Sequence, residues 1–479
     1  MKSKLFKNYL YNFSYQVLVL LTPLLTTPYI SRTIGVSGVG IYSYCYSYVA
    51  YFSIAAALGI STYGQLETAA KCDDKNKISH IFYELIITKL ITTVFFAALY
   101  ILFLLMFTHD NREIYWILVI NVIAVFLDIS WFFQGLEEFK KIAIRNYIIK
   151  IASLILIFVF VKGPSDLPIY TLIIQGSTLI GNLTLWFGLK KYLVPIHFYK
   201  FNIWPHIRSS LIYFVPTLAT TLFSYFDKTM IGLITHSEVQ NGFYEQAYKI
   251  ESISITVVSS LSTVIMPRAT YLFRKKDNDA VQKLLEISSR VVLFLAVSIT
   301  IGIISISDNF VPWFLGTSFI KSVPILNAFA VLILVDSLKD FYARQILIPS
   351  GEQIYYGKVT VLSVVLNIIG NYFLIDKFQA FGACISSIIT ELIALFMFMY
   401  KGQKQFNWLD MLKPFSKYIL CGIGMGICVY AINWVGISNL TVRVLSQILV
   451  GIVAYGILLL VVKDDIVFML VGKLRQRKN

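Results

Sequence analysis

Apolar residues run along this chain in long, nearly unbroken blocks. "NYLYNFSYQVLVLLTPLLTTPYI" near the start and "VLFLAVSITIGIISIS" near residue 300 are two of them. Such blocks approach or exceed the roughly 20 residues needed to cross a hydrocarbon core. A segment inside a bilayer must satisfy its backbone internally, so it is a helix or part of a closed barrel. Barrel strands alternate apolar and polar over about ten residues. The blocks here are apolar on every side and about twice that length, so the pattern predicts helices. About fourteen are expected, near 8–31, 41–66, 80–107, 113–134, 143–162, 169–188, 209–235, 243–267, 284–307, 322–346, 354–375, 379–400, 415–436 and 443–462. The predicted fold class is an all-α integral membrane protein.

A phrase repeats within this pattern. "GIYSYCY", Gly40 to Tyr46, returns as "GFYEQAY", Gly242 to Tyr248. The first copy opens the second expected helix and the other opens the eighth. Six helices separate them, an even number, so both halves enter the membrane in the same orientation. Parallel repeats of this kind are related by an axis along the membrane normal, with a shared substrate site between the lobes. A Pro-bearing helix precedes each copy, with Pro23 and Pro28 in one and Pro216 in the other. The competing reading is a coincidence in a Tyr-rich chain. The repeat predicts a six-helix lobe over 1–190, a cytoplasmic linker over 191–210, a second six-helix lobe over 211–402, and two additional helices with a basic tail over 403–479.

Composition agrees with the pattern. Hydrophobic residues make up 57% of the 479 and charged residues 14%, against roughly 25% charged in soluble proteins. The net charge of +15 could suggest a nucleic-acid partner, but the placement of the charges argues otherwise. With both termini cytoplasmic, inside segments collect about 32 Lys and Arg and outside segments about 6, an orientation signal. No nucleic acid is expected. The first apolar run is too long for a signal core and has no small-residue cleavage pattern. The five cysteines, Cys45, Cys72, Cys384, Cys421 and Cys428, mostly fall in spans or on the cytoplasmic side and suit packing rather than disulfides. The histidines have no ligand spacing, and no metal site is expected.

Enzyme chemistry finds little support. Expected outside loops are short, about 5 to 15 residues, and leave no room for a catalytic domain. No G-x-x-x-x-G-K-[ST] is present, so the chain has no P-loop of its own. "GVSGVG" (Gly35 to Gly40) follows a membrane helix rather than a strand and is not a dinucleotide fingerprint. No cofactor is predicted.

Ionisable residues within spans are costly and normally face a bundle interior or a wet cavity. Glu391 falls near the centre of helix twelve, either as a protonated, hydrogen-bonded carboxyl or as a gating or proton-carrying acid. Asp227 and Lys228 lie in the outer half of helix seven, about 100° apart on its surface. Glu245 and Lys249 stand four apart with the acid first, the favourable order for a local pair. Asp340 and Arg344 repeat that spacing, and Asp336 extends their stripe. Glu84 and Lys89 on helix three, and Asp128 near Trp131, read as structural when taken singly. Arg32, after helix one, is either an interfacial arginine snorkelling to water or a forked clamp for phosphate. Tyr244 and Tyr248 share a helical face, suited to packing or to a sugar.

Three stretches carry a resemblance: "TPYISRTIGVSGVGIYSYCYSYVAYFSIAAALGISTYGQ", "DISWFFQGLEEFKKIAIRNYIIKI" and "DKTMIGLITHSEVQNGFYEQAYKIESISITVVSSLSTVIMPR". Together they resemble the bacterial O-antigen and capsule polysaccharide flippases of the multidrug, oligosaccharidyl-lipid and polysaccharide exporter superfamily, over roughly residues 5 to 400. The resemblance implies two six-helix lobes forming a V and alternating between inward-open and outward-open states. It implies a multi-pass protein of the bacterial plasma membrane, driven by an ion gradient, working as a monomer beside polymerase and assembly proteins. The implied substrate is an oligosaccharide on undecaprenyl pyrophosphate, moved from the cytoplasmic to the outer face. The matching motif charges are Arg32, Asp128, Asp227, Lys228, Glu245 and Lys249. Substrate contacts are expected from Arg32, Lys228, Lys249, Tyr244 and Tyr248, and coupling or gating from Asp227, Glu391, Asp128 and Asp336. The rival readings are a multidrug or cation antiporter of the same fold and a membrane polysaccharide polymerase or glycosyltransferase.

Overall fold

The computed structural model describes residues 18, 21–108, 110–195 and 202–466. The start of the first expected helix, part of the expected linker, the basic tail and the side chain of Pro216 lie outside the described residues. Among the described residues all regular structure is helical. Helix α1 covers 21–33. It is followed by α2 (Gly35–Ala57), α3 (Ile60–Ala70), α4 (Lys75–Phe107), α5 (Arg112–Leu127), α6 (Ser130–Gly135), α7 (Phe139–Phe160) and α8 (Leu167–Thr184). Then come α9 (Trp204–Thr235), α10 (Glu238–Lys275), α11 (Asn278–Phe314), α12 (Val323–Phe341), α13 (Gln353–Gly402), α14 (Leu409–Ala431) and α15 (Leu440–Val461).

Eleven helical stretches among the described residues are long and apolar enough to cross a bilayer. The expectation of about fourteen is met once three features are considered. The first and seventh expected spans coincide with α1 and α9, which are not among the eleven. The eleventh and twelfth share the 50-residue α13, whose helical dihedrals break at Gln379 (φ 53°, ψ −136°). That break folds α13 back on itself. Asn367 Nδ2 donates to Ser387 Oγ at 3.1 Å, and the Tyr355 hydroxyl donates to the Met397 carbonyl at 3.1 Å. Two antiparallel arms result, one for each expected span.

The lipid-facing character is visible on the surface. α4 exposes Leu90, Val94, Phe95, Leu102 and Leu105, and α15 exposes Leu445, Leu449 and Ile452. Contiguous apolar surface on this scale is foreign to a water-soluble monomer. α4 begins where the Asp74 carboxylate accepts from the amides of Asn76 at 2.9 Å and Lys77 at 3.3 Å, satisfying two donors that a helix start leaves unpaired.

The chain divides into two compact units, Met1–Gly242 and Phe243–Asn479. In the first, Phe82, Trp131 and Phe132 form the centre of an aromatic core with Ile60 and Leu85. The short α6 delivers Trp131 and Phe132 to Phe82, with ring centroids 5.8 and 4.9 Å away. In the second, one core joins Leu293 and Val297 of α11, Phe341 of α12, Phe398 of α13, Tyr418 of α14 and Tyr455 of α15. The last two helices, an appendage to the repeat by sequence, are therefore built into that core. Asn309 bridges to Asn433 at 2.8 Å, and Gln447 donates to the same oxygen at 3.2 Å. All five cysteines are free. Cys45, Cys384 and Cys421 are buried, whereas Cys72 and Cys428 are exposed.

The repeated glycines meet inside the first unit. A Cβ on Gly40 would stand 1.7 Å from the Glu238 carbonyl oxygen, and one on Gly242 would stand 2.1 Å from that of Val36. Only glycine lets the first turns of α2 and α10 approach this closely. The tyrosines of each copy then stack along their own helix. Tyr42 and Tyr46 have centroids 5.7 Å apart, and Tyr244 and Tyr248 have centroids 6.2 Å apart.

Candidate functional site

Burial of charge, not any single motif, defines the candidate positions. The densest group lies in the second unit around Lys339, a residue that spacing alone did not single out. The Lys339 ammonium binds Asp336 Oδ1, one helical turn away, at 2.8 Å. It also pairs with the Glu391 carboxylate from the second arm of α13. Glu391 is 3% exposed, and Glu251, on α10 and 5% exposed, lies within electrostatic reach of all three. Two carboxyls thus pair with one ammonium, and a third lies within electrostatic reach. At the end of α12, Asp340 pairs with Arg344 of the π-helical turn that follows (Tyr342–Leu347), at 2.7 Å and with the spacing read from sequence.

On the same unit Glu245 and Lys249 make the expected intrahelical pair at 3.4 Å, with Lys249 partly exposed. Tyr244 is buried and packs edge-on against Phe329, with centroids 5.2 Å apart. Tyr248 is half-buried, 6.0 Å from the same ring.

In the first unit Asp227 and Lys228 are both buried, at 4% and 5% exposure. The Lys228 ammonium stands 5.1 Å from the Tyr225 ring centroid, close enough for cation–π attraction. The next residue, Thr229, anchors this part of α9 to α2. Its hydroxyl donates to Ser47 Oγ at 2.8 Å and lies 2.8 Å from the Tyr51 hydroxyl. Arg32 is exposed at the end of α1.

Asp128 is half-buried at the end of α5, where its carboxylate accepts from the Ser130 amide at 2.9 Å and hydroxyl at 2.5 Å. Its backbone carbonyl accepts from Lys89, which is 1% exposed. The side chain therefore orders the turn that positions Trp131. Nearer the start of α4, Glu84 accepts from the Asn202 amide at 3.0 Å and bonds His206 Nε2 at 2.7 Å. His206 Nδ1 continues to the Tyr63 hydroxyl at 2.9 Å, and His80 approaches Glu84 at 3.2 Å. This relay ties the start of α9 to α4 and was not foreseen, because Glu84 and His206 are 122 residues apart.

Comparison with known proteins adds context. A family model described as "Polysaccharide biosynthesis protein" matches residues 5–273. Another, described as "Lipid II flippase MurJ", matches residues 207–451. A "Putative O-antigen transporter" of Escherichia coli (strain K12) is 24% identical over 400 residues, covering 79% of this chain and 92% of the relative. A solved "Lipid II flippase MurJ, inward closed conformation" superposes with a TM-score of 0.71 at 17% identity, over 96% of this chain and 100% of that one. An inward-facing multidrug resistance MATE family transporter of the MOP superfamily superposes at 0.63 with 13% identity, over 83% and 96%. Identities this low between solved structures and the chain establish the shared fold and nothing finer.

Proposed function

The chain belongs to the polysaccharide biosynthesis protein family, and from that membership we propose that it is a flippase for lipid-linked oligosaccharides. Its substrate is an oligosaccharide on undecaprenyl pyrophosphate, carried by alternating access from the cytoplasmic to the outer face of a bacterial plasma membrane with both termini in the cytoplasm. The observation that carries this reading is the burial of Asp227, Lys228, Glu251 and Glu391 inside helices whose outer surfaces are apolar. Charges held at that depth serve a polar cargo or a coupling ion.

The physics suits such a cargo. A pyrophosphate with several sugars cannot enter hydrocarbon bare, whereas a polyprenyl tail is at home there. Arg32 and Lys228 supply cations for the pyrophosphate, with Lys249, Tyr244 and Tyr248 as further contacts along α10. Asp227, Asp128, Asp336 and Glu391 act in coupling or gating. Around Lys339 three carboxyls outnumber one ammonium, so a bound proton or cation would offset the surplus negative charge. Ion-gradient drive is assigned to that group, where Glu251 and Lys339 join the residues read from sequence. The protein works as a monomer beside polymerase and assembly partners and performs no catalytic step of its own.

The test is in cells. Arg32→Gln and Lys228→Gln are expected to abolish surface polysaccharide while the protein still reaches the membrane at normal levels. Unchanged export in both variants rejects the pyrophosphate assignment. A multidrug or cation antiporter of the same fold is the competing reading, favoured by the carboxylates around Lys339. Drug efflux that survives both substitutions, with no polysaccharide phenotype, would select it.

A further inference from the structure

A cavity of about 440 Å³ opens within the first unit, among α2, α4, α5, α9 and the start of α10. It contains none of the charged positions named above. One wall is aromatic. Tyr44 and Tyr48 meet at right angles with hydroxyls 3.0 Å apart, and Tyr48 stacks on Phe103 with centroids 5.2 Å apart. The opposite wall is polar and fixed. Asn111 Nδ2 donates to Glu238 Oε1 at 2.6 Å, and Ser37 Oγ donates to Glu238 Oε2 at 3.0 Å. Gly232 lets α9 pack directly against this wall, since a Cβ there would stand 2.2 Å from the Tyr44 ring and 2.9 Å from Asn241 Nδ2.

Asn241 points to a ligand. It is completely buried and lines the cavity, yet neither its amide nitrogen nor its oxygen has a hydrogen-bond partner. A buried amide left unpartnered carries its full desolvation penalty, which a hydrogen-bonding ligand in the cavity would relieve. A planar amide offers two donors and an acceptor, which matches vicinal hydroxyls. Flat aromatic rings beside it suit the apolar face of a sugar ring. The volume lies within the ~300–1,000 Å³ usual for small-molecule sites. Asp110 and Glu238 line the cavity together with His236, with no lysine or arginine among the lining residues, so a ligand carboxylate is repelled and hydroxyl or ammonium donors are attracted.

We propose that this cavity is a monosaccharide subsite, selective for neutral and amino sugars over uronic acids. The assignment rests on the flippase reading for its purpose. In the orientation proposed above the cavity lies at the outer end of the unit, where it would receive one sugar of the delivered oligosaccharide.

Saturation-transfer NMR on the full-length protein in nanodiscs tests this, with methyl glucoside, glucosamine and glucuronate as probes. Transfer is expected to methyl glucoside and glucosamine, and at least ~5-fold less to glucuronate. Asn241→Leu removes the orphaned amide at similar volume, so it should keep or raise the thermal midpoint while abolishing transfer. Asp110→Asn, on the exposed rim, should bring glucuronate up to the level of methyl glucoside. Equal transfer in wild type and Asn241→Leu overturns the subsite, as does glucuronate binding as well as methyl glucoside with Asp110 intact. Should Asn241→Leu fail to fold, the Asp110→Asn selectivity change decides alone. Translocation measured on the same samples separates the two readings. Lost sugar binding with intact translocation sinks only the subsite, and sugar binding without translocation sinks only the flippase.

Discussion

Lys339 is the hub of the densest cluster of buried charge in the second unit. Its ammonium satisfies Asp336 and Glu391 together, with Glu251 nearby. Lys339→Met strands those acids and is expected to destabilise the protein by about 2–3 kcal/mol. That is below the ~3–5 kcal/mol of a fully buried pair, because the Lys339 side chain keeps 25% of its surface exposed. Thermal unfolding in detergent would show a lowered midpoint, and the double variant Lys339→Met with Glu391→Gln should recover part of the loss. An unchanged midpoint in the single variant would mean that the cluster is not a coupled unit. Sequence spacing revealed Glu245–Lys249 and Asp340–Arg344 because both pairs lie on one helix, four residues apart. It missed Lys339–Glu391 and Glu84–His206, since no periodicity reports how separate helices are registered. Asp128 carried a local signal that was overlooked: an Asp two residues before a Ser at a helix boundary is a turn-capping arrangement.

At the scale of elements, the glycines of the repeated phrase explain its conservation of form within the chain. Gly40→Ala or Gly242→Ala forces α2 and α10 apart, and either should sharply lower the thermal midpoint or prevent accumulation in the membrane. Gly456→Ala is the control, since a Cβ there meets nothing within 4 Å; it should leave the midpoint unchanged or raise it slightly by helix propensity. Equal tolerance at all three positions would remove the close crossing. The bend in α13 makes the opposite prediction. Gln379 holds a left-handed φ of 53°, where a non-glycine residue is strained by roughly 1–3 kcal/mol. Gln379→Gly should therefore stabilise the hairpin by about 1 kcal/mol, and a lower midpoint would show that the side chain itself holds the turn. The Lys77 and then the Asn76 amides keep the Asp74 carboxyl below the ordinary carboxylate range. Its cap on α4 is thus in full force above the usual Asp pKa and fades as pH falls through the lowered one. Protection of the Asn76 and Lys77 amides against hydrogen exchange, measured relative to the intrinsic rate at each pH, should fall in that acidic window and not at neutral pH. The hydropathy pattern located both arms of α13 as separate spans, but the residue that turns between them could not be read from it.

Across the whole molecule, the sequence told of membrane helices through composition and block length. Two compact units are present, and Lys228 and Glu391 are buried within them rather than exposed to acyl chains. Asp227, Lys228 and Glu391 are legible as ionisable residues inside expected spans, whereas Glu251 becomes a candidate only through its burial. The central claim is that this protein moves the oligosaccharide head of a lipid-linked sugar across a bilayer. The most direct measurement reconstitutes it into vesicles loaded on the inner leaflet with a fluorescent undecaprenyl-pyrophosphate oligosaccharide and follows cleavage by an impermeant external glycosidase. The account predicts cleavage that depends on the protein, quickens under an imposed ion gradient and disappears with Lys228→Gln. Cleavage no faster than in protein-free vesicles, with and without the gradient, would contradict it.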